Sequence, residues 1–346
     1  MVAHVNMHSH VVLSETLNRF PPFGPELTDE PDGTVAYKVG NYKIFLKPGS
    51  DVRDPRMSNA AARLTDMDTK GIDVMGVSVS PLNYLYWAPT DIGIQFSRLQ
   101  NDAMAKFCAV DPTRLFFFAT VPLQDLSESV SELDRAVRTL GARGLNLGQT
   151  NVALGKYPDD AHFHPLYEKA ESLGVPIFMH PYPPGIQAGA SDNQLDWMAG
   201  YVHQSTVAAA SMLLGGTFDL FPKLKLILPH GGGALPYQFG RFEYAASRMR
   251  GSKAKRSLYD YLENIYFDCL IHDRRGRRFL VEFAGADQVL VGDNYLGWDA
   301  VDGFAMVKEL RLAEAEQDKI LGGNALKLFR LADVQRPSAR GPAAIT

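Results

Sequence analysis

Residues 224–230 read LKLILPH, a short apolar run that stops at a histidine. A run of this length bounded by proline and glycine suits a fully buried strand. The pattern recurs. VPIFMHP (175–181) stops at His180, VNMHSHVV (5–12) carries His8 and His10, and QVLVGDN (288–294) stops at Asp293 and Asn294. With the first of these strands taken as residues 2–8, and with 71–80, 115–122, 142–148 and 264–271, there are eight strand candidates. Segments of helical periodicity lie between them, such as NAAARLTDMDTKG (59–71), HPLYEKAESLG (164–174) and SESVSELDRAVRTLG (127–141), the last with Ser127 at the expected cap. Strand–helix alternation argues for parallel βαβ units, and eight units in one chain for a closed (β/α)8 TIM barrel. An open doubly wound sheet is the rival, but no GxGxxG follows the first strand, and HGGG (230–233) lacks that spacing.

The chain has 346 residues, 46% hydrophobic and 21% charged, with a formal net charge of −4, which reads as globular rather than disordered. The basic cluster RRGRR (274–278) is short and reads as a solvated helix face, so no nucleic-acid partner is expected. No membrane span and no signal peptide are read. Two distant cysteines, Cys108 and Cys269, form neither a zinc ribbon nor a disulfide scaffold. A reduced, cytoplasmic setting is expected. Residues 1–330 read as one barrel domain, with an insertion at 11–58 over its mouth and a C-terminal tail at 331–346. The insertion is rich in Pro, Gly and Asp, with a hairpin expected at AYKVGNYKIFL (36–46).

At the C-terminal end of barrel strands, polar side chains face the catalytic mouth. Residues two apart share a strand face, so Asn6, His8 and His10 are expected to point together. Two imidazoles at that spacing can reach one cation. His180, His230 and Asp293 end three further strands. Four unpaired buried imidazoles would be costly, whereas converged they make a metal site with a spare base. His4 lies near the strand start and reads as structural. His162 and His164 flank a helix start, His203 is ambiguous, and His272, which follows the seventh strand, is a weaker candidate for the edge of the site.

The sequence resembles the amidohydrolase-2 family, and within it the aminocarboxymuconate-semialdehyde decarboxylase branch of metal-dependent decarboxylases. The resemblance runs from His8 to about Phe329. It is carried by MHSH (7–10), AARLTDMDTKGIDVMGVSVSPLNYLYWA (61–88), VPLQDL (121–126), VPIFMHP, GGTFDLFPKLKLILPHGGGALPYQFGR (215–241) and ILGGNALKLF (320–329). It implies that His8, His10 and His180 hold a zinc ion, with manganese the other candidate, and that no organic cofactor is used. It implies that His230 is the general base beside the metal-bound water. It further implies a homodimer in which Arg241 reaches the partner's active site and meets a substrate carboxylate, with Arg53 the nearest candidate for a second carboxylate-binding arginine and Arg56 behind it. Trp87, Tyr84 and Trp298 are candidates for the pocket wall.

Three segments depart from the family's pattern. Where the family has G-[ST]-D-Y-P after the eighth strand, this chain has VGDNYLGWD (291–299). Ungapped, the ligand position falls on Asn294, and a one-residue slip would bring Asp293 instead. Asp299 is a third candidate. HPYPP (180–184) stands where the branch has HPWD, and the 11–58 insertion has its own composition. The first functional expectation is non-oxidative decarboxylation of a small unsaturated or aromatic acid in aromatic-compound catabolism, with catalytic His230 and Asp293. The alternatives are a hydrolase or hydratase on the same metal site, or a barrel that has lost its metal.

Overall fold

A computed structural model describes residues 2–46, 53–149, 154–182, 195–297 and 299–331. The barrel forms as expected. Its first strand is split into β1 (Val5–Asn6) and β2 (His10–Val11). The insertion contributes an antiparallel sheet of β3 (Pro25–Asp29), β4 (Val35–Val39) and β5 (Tyr42–Leu46). The barrel resumes with β6 (Val74–Val79), β7 (Leu115–Ala119), β8 (Gly144–Gly148), β9 (Ile177–His180), β10 (Leu226–Leu228), β11 (Ile265–Asp268) and β12 (Val289–Leu290). These strands pair in parallel in chain order from β1 to β12. The two ends meet where Met7 N donates to Val291 O at 2.9 Å and Tyr295 N to His8 O at 3.2 Å.

The split in the first strand has a geometric meaning. In β1, Val5 pairs with Val74 and Asn6 with Met75, whereas in β2, His10 pairs with Ser78 and Val11 with Val79. Four steps along the first strand therefore match three along β6, which is a one-residue bulge. A bulge reverses which alternate residues face inward. Before it, Val5 and Met7 pack inside the barrel with Val74, Phe116, Phe118, Phe178, Ile227 and Leu290. After it, His8 and His10 face inward. Asn6 faces the other way, correcting the expectation that it points with the histidines.

The larger apolar layer lies between the strands and the helices and includes Val77, Phe117, Leu145, Ile177, Leu226, Phe267, Val289 and Val291. Helix boundaries follow local chemistry. Asn59 caps Ala60–Lys70 by accepting from Ala62 N, and Gly71, at φ 67°, ends it. The helix after β7 begins at Leu126, and its cap is Asp125 rather than Ser127, with Glu128 N donating to Asp125 Oδ1 at 3.0 Å.

The hairpin expected at 36–46 is β4–β5, and β3 adds a third strand that the Pro-rich sequence concealed. This sheet packs on the segment after β6. Tyr37 and Val39 meet Leu82, Leu85 and Ala88, and a side chain at Gly40 would collide with Trp87 Nε1 at 2.5 Å. The β3–β5 sheet thus packs on residues 82–88, just beyond the C-terminal end of β6. Pro183, Pro184, Trp298 and the tail from 332 lie outside the described residues.

Candidate metal centre and adjoining cavity

Four histidine rings converge inside the C-terminal end of the barrel. His8 lies 5.2 Å from His10, 5.1 Å from His180 and 5.5 Å from His230, centroid to centroid, and His10 lies 5.1 Å from His180. Ligand nitrogens of His8, His180 and His230 all fall within 4.8 Å of one another.

Three of the rings are pinned by the nitrogen that faces away from the cluster. His8 Nδ1–H donates to Asp268 Oδ2 at 2.7 Å, His10 Nδ1–H to Val79 O at 3.2 Å and His180 Nδ1–H to Pro181 O at 2.6 Å. Each bond fixes the tautomer and leaves Nε2 as a bare lone pair. Two such nitrogens, His8 Nε2 and His180 Nε2, face each other at 3.2 Å. Two acceptors at that distance repel unless a cation lies between them, so the donor set fits a bound metal ion. Burial lowers His8 and His230 to about 4 and holds His10 and His180 well below their ordinary value, so all four rings are neutral near pH 7, as ligation requires.

Asp268, at the end of β11, was not singled out in the sequence. Its Oδ1 accepts from Gly231 N at 3.0 Å and Leu270 N at 3.1 Å while Oδ2 holds His8. The signal was present, a polar residue ending the apolar run IYFD, but its partner lies 260 positions away. Arg63 was also missed. Fully buried, it donates to His10 O at 2.8 Å and Arg56 O at 2.7 Å and lies 4.6 Å from the Tyr295 ring centroid.

His230 occupies a left-handed backbone position, φ 54°, at the head of three positive-φ glycines. A non-glycine residue held there is a sign of a functional constraint. Its Nδ1 has no hydrogen-bond partner among the described residues. It opens onto a cavity of ≈ 510 Å³ walled by Trp197, Tyr201, Tyr237, Phe279 and Leu280, with the His272 imidazole and the Asp299 carboxyl also on its lining. That size and apolar lining suit one small planar ligand.

The remaining expected site residues are dispersed. Asp293 Oδ1 accepts from Asn6 Nδ2 at 2.6 Å, and burial raises its carboxyl to about 7. Asn294, at φ 48°, donates through Nδ2 to Asp299 Oδ1. Arg53 pairs with Asp29 on the insertion sheet. Trp87 packs against the turn at Gly40. Arg241 is exposed on the helix Leu235–Arg248, whose first turn gives Pro236 and Tyr237 to the cavity. His272 does border the site, with Nε2 3.6 Å from Asp299 Oδ2. His4 is structural, with Nδ1 bonded to Gly71 O at 3.1 Å.

A family model described as amidohydrolase matches residues 5–331. The chain is 29% identical over 301 residues to the 2-amino-3-carboxymuconate-6-semialdehyde decarboxylase of Dictyostelium discoideum, an alignment covering 84% of this chain and 80% of that one. It is 29% identical over 341 residues to the 2-keto-4-carboxy-3-hexenedioate hydratase of a Sphingobium species, covering 93% and 89%. Among solved structures, a dihydroxybenzoic acid decarboxylase from a Polaromonas species, with bound manganese and the inhibitor 2-nitroresorcinol, superposes at a TM-score of 0.77 with 25% identity, covering 97% and 99%.

Proposed function

This chain belongs to the amidohydrolase family, and on that premise we propose that it is a metal-dependent, non-oxidative decarboxylase of a small aromatic or unsaturated carboxylic acid. The observation that carries the reading is the cluster of pinned imidazoles beside an apolar cavity: His8 and His180 turn their Nε2 atoms to each other at 3.2 Å, His230 brings a ligand nitrogen within 4.8 Å of both, and the His10 ring lies 5.1–5.2 Å from theirs. Zinc is the favoured ion, with manganese next, and an oxygen ligand comes from the 293–299 turn. A single barrel domain spans 1–330, with the 11–58 insertion at its mouth.

When bound, the cation supplies Lewis-acid stabilisation of negative charge on the substrate. The protein's own groups do the rest. Trp197, Tyr201 and Phe279 hold a flat acid and exclude water. The bond to the carboxylate carbon breaks, its electron pair stays on the substrate carbon, and one proton must reach that carbon as CO2 leaves. His230, neutral and unpartnered at Nδ1, is placed to carry that proton. Among the described residues the cavity lining holds no arginine or lysine. A substrate carboxylate therefore needs a cation from elsewhere. Arg241, one turn beyond the cavity-lining Tyr237, would serve in a homodimer, with Arg53, here paired with Asp29, as a second donor.

Hydration or hydrolysis is the second reading, favoured by the likeness to a hydratase and by an amide at Asn294. CO2 release separates the two. The test is metal analysis of untagged protein followed by a screen of aromatic and unsaturated acids for CO2. About one zinc or manganese per chain with CO2 release is expected. His230→Ala should keep the metal and lose turnover by roughly 10²-fold or more. Water addition without CO2 would replace the reading, and failure to take up metal would end both. Cys108 and Cys269 are buried and unpaired, which supports a reducing, cytoplasmic setting. Among the described residues no helix is long and apolar enough to cross a membrane.

A further inference from the structure

We propose that the side-chain carbonyl of Asn294 is the oxygen ligand that completes the His8–His10–His180 site, and that Asp299 is the positioning residue that aims it. This rests on the metal-site reading above.

Strand parity separates the candidates. Leu290 packs inside the barrel with Val5, Met7 and Phe178. Two residues on, a side chain at Gly292 would lie 2.8 Å from the Cβ atoms of both His8 and Asp268, so this face looks at the histidines. Asn294 is the next residue on that face. Val291 and Asp293 lie on the other face, where a side chain at Gly303 would approach Val291 Cγ1 at 2.9 Å and Asp293 Cβ at 3.3 Å. Asp293 is moreover engaged by Asn6 at 2.6 Å. The backbone agrees, because Tyr295 N donates to His8 O and His10 N to Tyr295 O, which seats residue 294 against the HxH segment.

The amide's orientation follows from its partner. A carboxylate accepts only, so the Asn294 end that meets Asp299 Oδ1 is Nδ2. Oδ1 is then the free end. It is buried and has no hydrogen-bond partner among the described residues, in a side chain only 4% exposed. A buried carbonyl oxygen left without a donor is costly, and a cation would satisfy it. Gly297 permits the arrangement, since any side chain there would collide with the Asn294 amide. Asp299 is itself shielded, 11% exposed at the side chain, and its charge acts on His8, His10 and His230. The negative charge that a carboxylate ligand would bring is thus held one residue further out, behind a neutral amide whose dipole it strengthens.

The test measures zinc and manganese affinity by chelator competition on the full chain, with the melting temperature of the metal-free protein as a fold control. Asn294→Gly removes the side chain while suiting the positive φ. It is expected to weaken metal binding by more than 100-fold without lowering the metal-free melting temperature, and Asp299→Asn by about 10–100-fold. Asn294→Asp, which keeps an oxygen at the same place, should retain bound metal, and Asp293→Asn should bind as wild type does. Wild-type affinity in Asn294→Gly would overturn the proposal, as would loss of metal in Asp293→Asn alone. Loss in Asp299→Asn with retention in Asn294→Gly would transfer the ligand role to Asp299. Absence of metal binding by the wild type would instead remove the reading on which the proposal rests.

Discussion

Asp293 and Asn294 are adjacent in sequence and lie on opposite faces of one strand end, so they answer to different physics. Asp293 is buried against Asn6, and burial raises its carboxyl from 3.8 to about 7. A group that binds its proton more tightly when folded contributes stability below its unfolded pKa and loses it as pH rises through the folded one. Metal-free wild type should therefore lose stability from this group between pH ~4 and ~7, on the order of a few kcal/mol in all. Asp293→Asn cannot titrate. Its stability relative to wild type, from urea unfolding with chelator present, should rise between pH 5 and about 7 and then level off. A difference that stays constant across that range would refute the assignment of the raised pKa to Asp293.

Among the elements, the helix Ala60–Lys70 does more than cover the sheet. Its Arg63 reaches inward to the carbonyl of His10, the hydroxyl of Ser9 and the ring of Tyr295, tying the bulged first strand to the turn after the last one. The guanidinium is wholly buried, and burial lowers it to about 10, still charged at neutral pH. Arg63→Met keeps the stem and removes the donors, leaving the carbonyls of His10 and Arg56 without this partner. A loss of about 2–4 kcal/mol in unfolding free energy is expected from those orphaned acceptors. The bulge itself should loosen, so metal affinity should fall with stability. A variant as stable as wild type that binds metal as well would show that the bulge holds itself. The LTDMD periodicity identified this helix, but nothing in it distinguishes an inward arginine from a surface one.

At the scale of the whole molecule, the cavity carries His230, the proposed proton carrier, but no arginine or lysine among its described lining residues. Arg241 is exposed beside it on the same helix that walls it. If Arg241 acts in the neighbouring subunit, Arg241→Ala and His230→Ala subunits should complement one another. In a random mixture, sites that combine an intact His230 with an arginine from the other subunit make up about a quarter of the total. Mixing two nearly inactive proteins should then restore up to about that share of CO2 release. No gain after verified subunit exchange would place Arg241 outside the reaction.

The barrel and the histidine cluster were legible in the chain itself, because both are written locally. Apolar runs of strand length repeat with helical segments between them; the first carries His8 and His10, and three others stop at His180, His230 and Asp293. The chain also showed that the aspartate expected after the last strand was displaced. It could not show which neighbour faces inward. That depends on a one-residue bulge between Asn6 and His10, visible only as an offset against β6, and on hydrogen bonds from His8 to Asp268 and from Asn6 to Asp293 across 260 and 287 positions. Alternation along a strand is a local property of the sequence. Register and bulges are settled by pairing between distant segments, and a shift of one residue exchanges the two faces.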